Sequence, residues 1–136
     1  MFLLDTNVVS ELRRPHRTNP KVAGWADSVS ASELFLSSIS ILELETGALL
    51  LTRRDGGQGG LIQQWIEDRV LTAFAERILA VDSAVARRCA LLHVPDRRPY
   101  RDSLIAATAL VHHLIVVTRN RADFEPMGVT VLNPWE

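Results

Sequence analysis

The sequence predicts an α/β fold, a short parallel β-sheet flanked by helices on both faces. Two observations carry that prediction. Short apolar runs alternate with longer segments of helical periodicity, the pattern of a parallel sheet with crossover helices. The runs are also apolar throughout, as parallel strands covered on both faces should be. Nothing repeats and no linker divides the 136 residues, so a single domain is expected over residues 1–136.

Phe2 to Leu4 is the first strand. Thr6 or Asn7 can cap a helix that Pro15 ends. Asn19 to Val29 carries Val22, Trp25, Ala26 and Val29 on one helical face, so the tryptophan reads as packing rather than as a base-stacking platform. "LFLSSIS" (34–40) is a strand, and Ser40 opens a helix to about Leu51. "RRDGGQGG" (53–60) lacks the Gly-Lys-Ser/Thr ending of a phosphate loop and reads as a plain connector. Leu61 to Phe74 is helical, with Ile62, Trp65, Ile66 and Leu71 inward. "RILAV" (77–81) is a strand, and Asp82 caps a helix holding Val85, Ala86, Cys89 and Leu92. A polar loop, "PDRRPY", precedes a helix from Arg101 to His113, whose terminal His112 and His113 suit the helix dipole. "LIVVT" (114–118) is the most strand-like run, and "GVTVLNP" supplies an edge strand.

Bulk composition excludes several classes. Basic and acidic residues nearly balance, 15 against 16, so a simple polyanion-coating protein is not indicated. Lys21 is the one lysine; the arginines suit phosphate, although a GC-rich genome explains the bias equally well. No apolar run approaches the ~18 residues of a membrane span. The N-terminus lacks the basic region and cleavage site of a signal peptide. Cys89 stands alone among small apolar neighbours and reads as a core thiol. A cytoplasmic protein without membrane contact is expected. His16 and His93 show no spacing to carboxylates that suggests a ligand set.

In parallel sheets, ligands bind beyond the carboxyl ends of the strands. Five carboxylates fall there: Asp5 after "FLL", Glu43 a turn beyond "LFLSSIS", Asp82 after "ILAV", Asp102 at the start of a helix, and Asp123 beyond "LIVVT". Each has a bland explanation. Ser40 and Glu43 fit a capping box, Asp102 suits a helix N-terminus, Asp82 is a plain N-cap, Asp123 fits a turn, and Asp5 could simply end a strand. Gathered at one edge, however, they repel one another, and only positive charge makes the cluster acceptable. Lysines are too few, and no Cys or His set has zinc spacing. Hard oxygen ligands around Mg²⁺ or Mn²⁺ are the natural solution. Such sites serve phosphoryl transfer or phosphodiester hydrolysis.

Four stretches then carry a resemblance. "LLDTNVVSEL" (3–12), "SSISILELETG" (37–47), "RDSLIAATAL" (101–110) and "VVTRNRADF" (116–124) resemble, in order and spacing, the motifs of PIN-domain toxins of the VapC-like family of type II toxin–antitoxin systems. "DSLIAATA" leans towards the subgroup resembling the FitB toxin. The resemblance implies a PIN-like α/β/α sandwich and a Mg²⁺- or Mn²⁺-dependent endoribonuclease. It implies a catalytic and metal-holding quartet of Asp5, Glu43, Asp102 and Asp123, with Thr6 and Asn120 orienting water or a carboxylate, and gives Asp82 a structural role. It further implies an RNA substrate, a cognate VapB-like antitoxin whose C-terminal segment wraps the toxin, and a homodimer. The apolar helical faces at 40–51 and 61–74 are candidate contact surfaces. Arg97, Arg98, Arg101, Arg119 and Arg121 flank the acids and could clamp phosphates or simply offset them.

Other acid-and-magnesium folds fit poorly. A haloacid-dehalogenase-type phosphatase needs a second aspartate where Asn7 stands, and a receiver domain needs an acidic pair and a later lysine. The alternative outside catalysis is a PIN-fold binding module whose acids only grip a basic antitoxin peptide.

Overall fold

The computed structural model describes residues 1–136. Five parallel strands form one sheet in the order β3-β2-β1-β4-β5. They are β1 (Phe2–Leu4), β2 (Leu34–Ser37), β3 (Ile78–Leu79), β4 (Ile115–Val117) and β5 (Val131–Leu132). The chain builds outward from β1 through β2 to β3, then crosses back to add β4 and β5 on the other side of β1. The strand order therefore reverses between β1 and β4, where open α/β sheets form their crevice.

Helices cover both faces: α1 (Thr6–Leu12), α2 (Pro20–Ser28), α3 (Ser38–Arg54), α4 (Gly56–Trp65), α5 (Leu71–Ala73), α6 (Ser83–Leu92), α7 (Tyr100–His112) and α8 (Arg121–Phe124). Strand alternation explains why the runs are uniformly apolar. Leu4, Leu36 and Val117 point into one core with Val8, Leu44, Ala48 and Ile66. Leu3 and Val116 point into the opposite core with Ile105, Ala106, Ala109 and Phe124 of α7 and α8. Trp25 and Trp65 pack against the first core, and Phe2 meets Trp25 edge-to-face at 5.4 Å between ring centroids. No helix is long and apolar enough to cross a membrane.

Two local expectations are corrected. The helix after β2 begins at Ser38, not Ser40, because Ser37 is its cap and accepts from the Ile39 amide at 3.0 Å. Ser40 is thus a buried helical residue, and the capping role offered for Glu43 disappears. The glycine-rich stretch is not a loose connector. Asp55 ends α3 and caps α4, accepting from the Gln58 amide at 3.1 Å, and Gly56 to Gly60 are helical. The low helix propensity of these glycines is overridden by tertiary packing. A Cβ at Gly59 would stand 2.1 Å from Thr52 Oγ1 and 2.5 Å from the Thr52 Cα and N, so α3 and α4 approach as closely as only glycine permits.

The connection from α6 to α7 is held by His93. Its Nδ1 accepts from the Arg98 amide at 3.2 Å, which leaves the proton on Nε2, 3.0 Å from Ser103 Oγ. Ser103 in turn donates to the Tyr100 carbonyl at 3.1 Å. Cys89 is buried and free, 3.4 Å from the same serine hydroxyl. This polar knot fixes the first turn of α7, which carries Arg101 and Asp102.

Gly59→Ala should destabilise the protein by about 2–3 kcal/mol or more, because the new methyl meets backbone. Gly60→Ala, with nothing within 4 Å of its Cβ, should be neutral or stabilising by up to about 1 kcal/mol. Urea unfolding of both variants checks the pair.

Candidate active site

Parallel pairing brings the carboxyl ends of β1, β2 and β4 to one edge. α7 precedes β4 and runs back across the sheet, so its N-terminus lies at that edge too. Asp5 follows β1 directly and is fully buried, at 0% exposure. Its amide donates to the Val117 carbonyl at 2.8 Å, continuing the ladder to β4, and Asp5, with extended backbone (φ −68°, ψ 155°), rather than Thr6 or Asn7, caps α1 through its side chain.

Four donors surround the Asp5 carboxylate. Oδ1 accepts from the Thr6 amide at 2.7 Å and from Arg101 Nη2 at 2.5 Å. Oδ2 accepts from Thr118 Oγ1 at 2.7 Å and lies 3.4 Å from Asn7 Nδ2. Thr118 is itself fully buried and takes the Asn120 amide at 3.0 Å.

Glu43 lies one turn and a half into α3 and is 29% exposed in its side chain. Thr6 Oγ1 is 2.5 Å from Glu43 Oε1 and 3.0 Å from Ser40 Oγ. Its single proton serves the carboxylate, which leaves the Ser40 hydroxyl to donate to Thr6. Asp102, in the first turn of α7, is 15% exposed.

Arg101 joins these three acids. Nη2 meets Asp5, Nε meets Glu43 and Nη1 meets Asp102, each at 2.5 Å. Burial alone would lower the Arg101 pKa. The hydrogen bonds to Glu43, Asp102 and Asp5 and the charge of Asp5 outweigh it, and the net shift is upward. The guanidinium is therefore a fixed positive charge at every accessible pH.

The structure thus brings together Asp5, Glu43 and Asp102, with Thr6 and Arg101. It does not bring Asp123 into that network. Asp123 is exposed on α8 and makes no side-chain hydrogen bond or ion pair, although α8 follows β4 at the same edge. Asn120 contributes its backbone amide, while its side chain is exposed. Asp82 caps α6 through the Val85 amide at 2.9 Å. Of the flanking arginines, Arg121 is tied to Glu125 at 2.9 Å and Glu136 at 3.1 Å, and Arg119 covers the Trp135 ring at 5.3 Å. Arg98 keeps a buried Nε without a partner.

Thr118, Asn7 and Ser40 also join the site, where the sequence gives Asn7 and Ser40 only capping roles and Thr118 a strand position. Strand register could have found Thr118: Leu4 pairs with Val117 across β1 and β4, so the next residues, Asp5 and Thr118, are neighbours.

With Arg101 in place, no group of three His, Cys, Asp or Glu side chains is arranged to hold a metal ion. The donor set nevertheless fits a hard divalent cation. Carboxylate oxygens from three elements surround one guanidinium, which stands there as their counter-charge. Asn7 Oδ1, beside them, is a buried acceptor without a partner.

A parallel α/β sheet with a polarised carboxylate pocket at its topological switch point defines the class of protein. Comparison with known proteins gives the family. The PIN domain profile matches residues 2–128. Toxin FitB of Neisseria gonorrhoeae is 39% identical, over 99% of this chain and 99% of that protein. VapC ribonuclease Y4jK of Sinorhizobium fredii is 36% identical over 100% of this chain and 99% of its own length. The crystal structure of FitAcB from Neisseria gonorrhoeae superposes with a TM-score of 0.90 at 38% identity, covering 100% of this chain and 99% of the other. The chain belongs to the PIN domain family.

Thr118→Val should cost about 1–3 kcal/mol, since it strips a buried carboxylate of one donor and the Asn120 amide of its acceptor. Thr118→Ser keeps both bonds and should recover most of the loss. Thermal and urea denaturation of the two variants decide it.

Proposed function

We propose that this protein is a metal-dependent endoribonuclease, the toxin of a toxin–antitoxin pair. One observation carries the reading: Asp5, fully buried at a strand end, converges with Glu43 and Asp102 on a single cationic centre. A fold stabilised for its own sake would not bury a carboxylate there and surround it with more acid. Relatives of matching length are named as a toxin and as a VapC ribonuclease, which supports both the activity and the pairing.

When bound, Mg²⁺ or Mn²⁺ would supply the charge that acidifies a water and neutralises oxygens on the phosphorus. Asp5, Asp102 and Asp123 would hold the ion, Asp5 with the least freedom because four donors fix it. Asp123 would enter from α8. Glu43, aligned by Thr6, would hold the attacking water or take its proton. Arg101 and Arg98 would receive phosphates of the RNA.

The same acids favour a second reading, because they already grip a guanidinium. A basic side chain of a VapB-like antitoxin could bind there, and that contact alone would be the function of a non-catalytic module. Leu42, Leu49, Leu50 and Leu61, large apolar side chains exposed on α3 and α4, form the surface proposed for the antitoxin or for a second copy of the chain.

Antitoxin-free protein should cut total bacterial RNA into discrete fragments with Mg²⁺ or Mn²⁺, and EDTA should abolish cutting. Asp5→Asn, checked for folding by circular dichroism, should lose cleavage almost completely. Cleavage that survives both treatments would refute the assignment, and a folded wild type that never cuts would favour the binding module.

A further inference from the structure

Arg101 is the centre of the acid cluster rather than part of its rim. All three of its nitrogen positions are engaged, on acids from three separate elements. Asp5 and Asp102, two of the three acids that the metal-dependent reading gives to the ion, are among them. An ion seated on the oxygens that Arg101 holds would stand at contact distance from the guanidinium, and in a partly desolvated site the two repel. Metal entry is therefore favoured when Arg101 leaves.

Leaving is feasible but not free. The side chain is 34% exposed, so a path to solvent exists. Its departure without replacement strips the fully buried Asp5 of its charge partner, which disfavours an empty site. The guanidinium, for its part, gives up planar, forked anion contacts. A phosphodiester offers that geometry again, since its two non-bridging oxygens accept the fork in the same way. The neighbouring candidates are less free: Arg121 is bound to Glu125 and Glu136, and Arg119 lies over Trp135.

We propose that Arg101 is an exchangeable internal cation, closing the carboxylate site until a phosphodiester draws it out and a divalent ion takes its place. Metal and nucleic acid then bind with positive cooperativity, and the coupling runs through this one side chain. The idea rests on the metal-dependent reading above and adds an order of events to it. It also gives the unpaired protein a reason to remain folded with three acids in contact.

Mn²⁺ binding, followed by the electron paramagnetic resonance of the free ion, tests this without any turnover. The proteins are the wild type, Arg101→Gln and Arg101→Lys, each with and without a 2′-O-methyl RNA oligonucleotide. Ions held by the oligonucleotide alone are subtracted, and a methylphosphonate oligonucleotide serves as the uncharged control. Arg101→Gln should bind Mn²⁺ about tenfold more tightly than the wild type in the absence of RNA. The phosphodiester oligonucleotide should tighten the wild type by a similar factor, leave Arg101→Gln unchanged, and lose its effect when the backbone is uncharged. Arg101→Lys keeps the charge but not the fork and should fall between them; it also supplies the comparison if the glutamine variant does not fold. Equal affinities in wild type and variants overturn the gate while leaving the ribonuclease reading intact. Absence of Mn²⁺ binding in every folded protein overturns the metal-dependent reading itself.

Discussion

The structure depends on how one charge is kept in place. Asp5 is a carboxylate at zero exposure at the end of the central strand, between apolar layers on both faces. Such a group is tolerable only with a full set of donors, and the fold adds to its sequence neighbours two donors from elements far along the chain. Thr6 comes from α1, Thr118 from the end of β4 and Arg101 from α7. The Thr118 and Arg101 bonds require the parallel register to be correct. A one-residue slip of β1 against β4 would exchange the two cores and turn Asp5 away from its partners. The buried carboxylate thus acts as a check on the topology as well as the heart of the site.

Much of the fold was legible because periodicity is a local signal. The order of strands and helices, the buried Cys89, the cap at Asp82 and the packing roles of Trp25 and Trp65 all follow from residue type and spacing. What misled were positions where packing outweighs local preference. "RRDGGQGG" reads as a connector by composition, yet it is helical from Gly56, and at Gly59 α4 crosses α3 too closely for any side chain. Ser37 and Ser40 are equally good caps on paper. The strand ends where its last residue can still pair with β3, and that chooses Ser37.

The acids of the site could be read as candidates, and the sheet edge explained why they might meet. Their partners could not be read so easily. The Asp5–Thr118 contact joins residues 113 positions apart, and the Arg101–Asp5 contact joins residues 96 apart. Both need the strand order β2-β1-β4, which local patterns do not contain. Arg101 looked like any arginine of a basic stretch. Its difference from Arg97, Arg98, Arg119 and Arg121 is that the first turn of α7, pinned by His93 and Ser103, aims it at the acids. Asp123 shows the converse: its spacing suits the site, but it lies on a four-residue helix with an exposed side chain free of partners.

The groups that surround the carboxylates are mostly hydroxyls and amides. Thr6, Ser40 and Thr118 each carry one rotatable proton and two acceptor lone pairs. Such groups can reorient without gaining or losing charge, so they can follow a change in what the acids hold. A ring of lysines would have neutralised the cluster permanently and left no room for exchange. A ring of apolar side chains would have forced the acids apart or kept them protonated. Concentrating the neutralising charge in one long, partly exposed side chain leaves the cluster stable when idle and open to substitution.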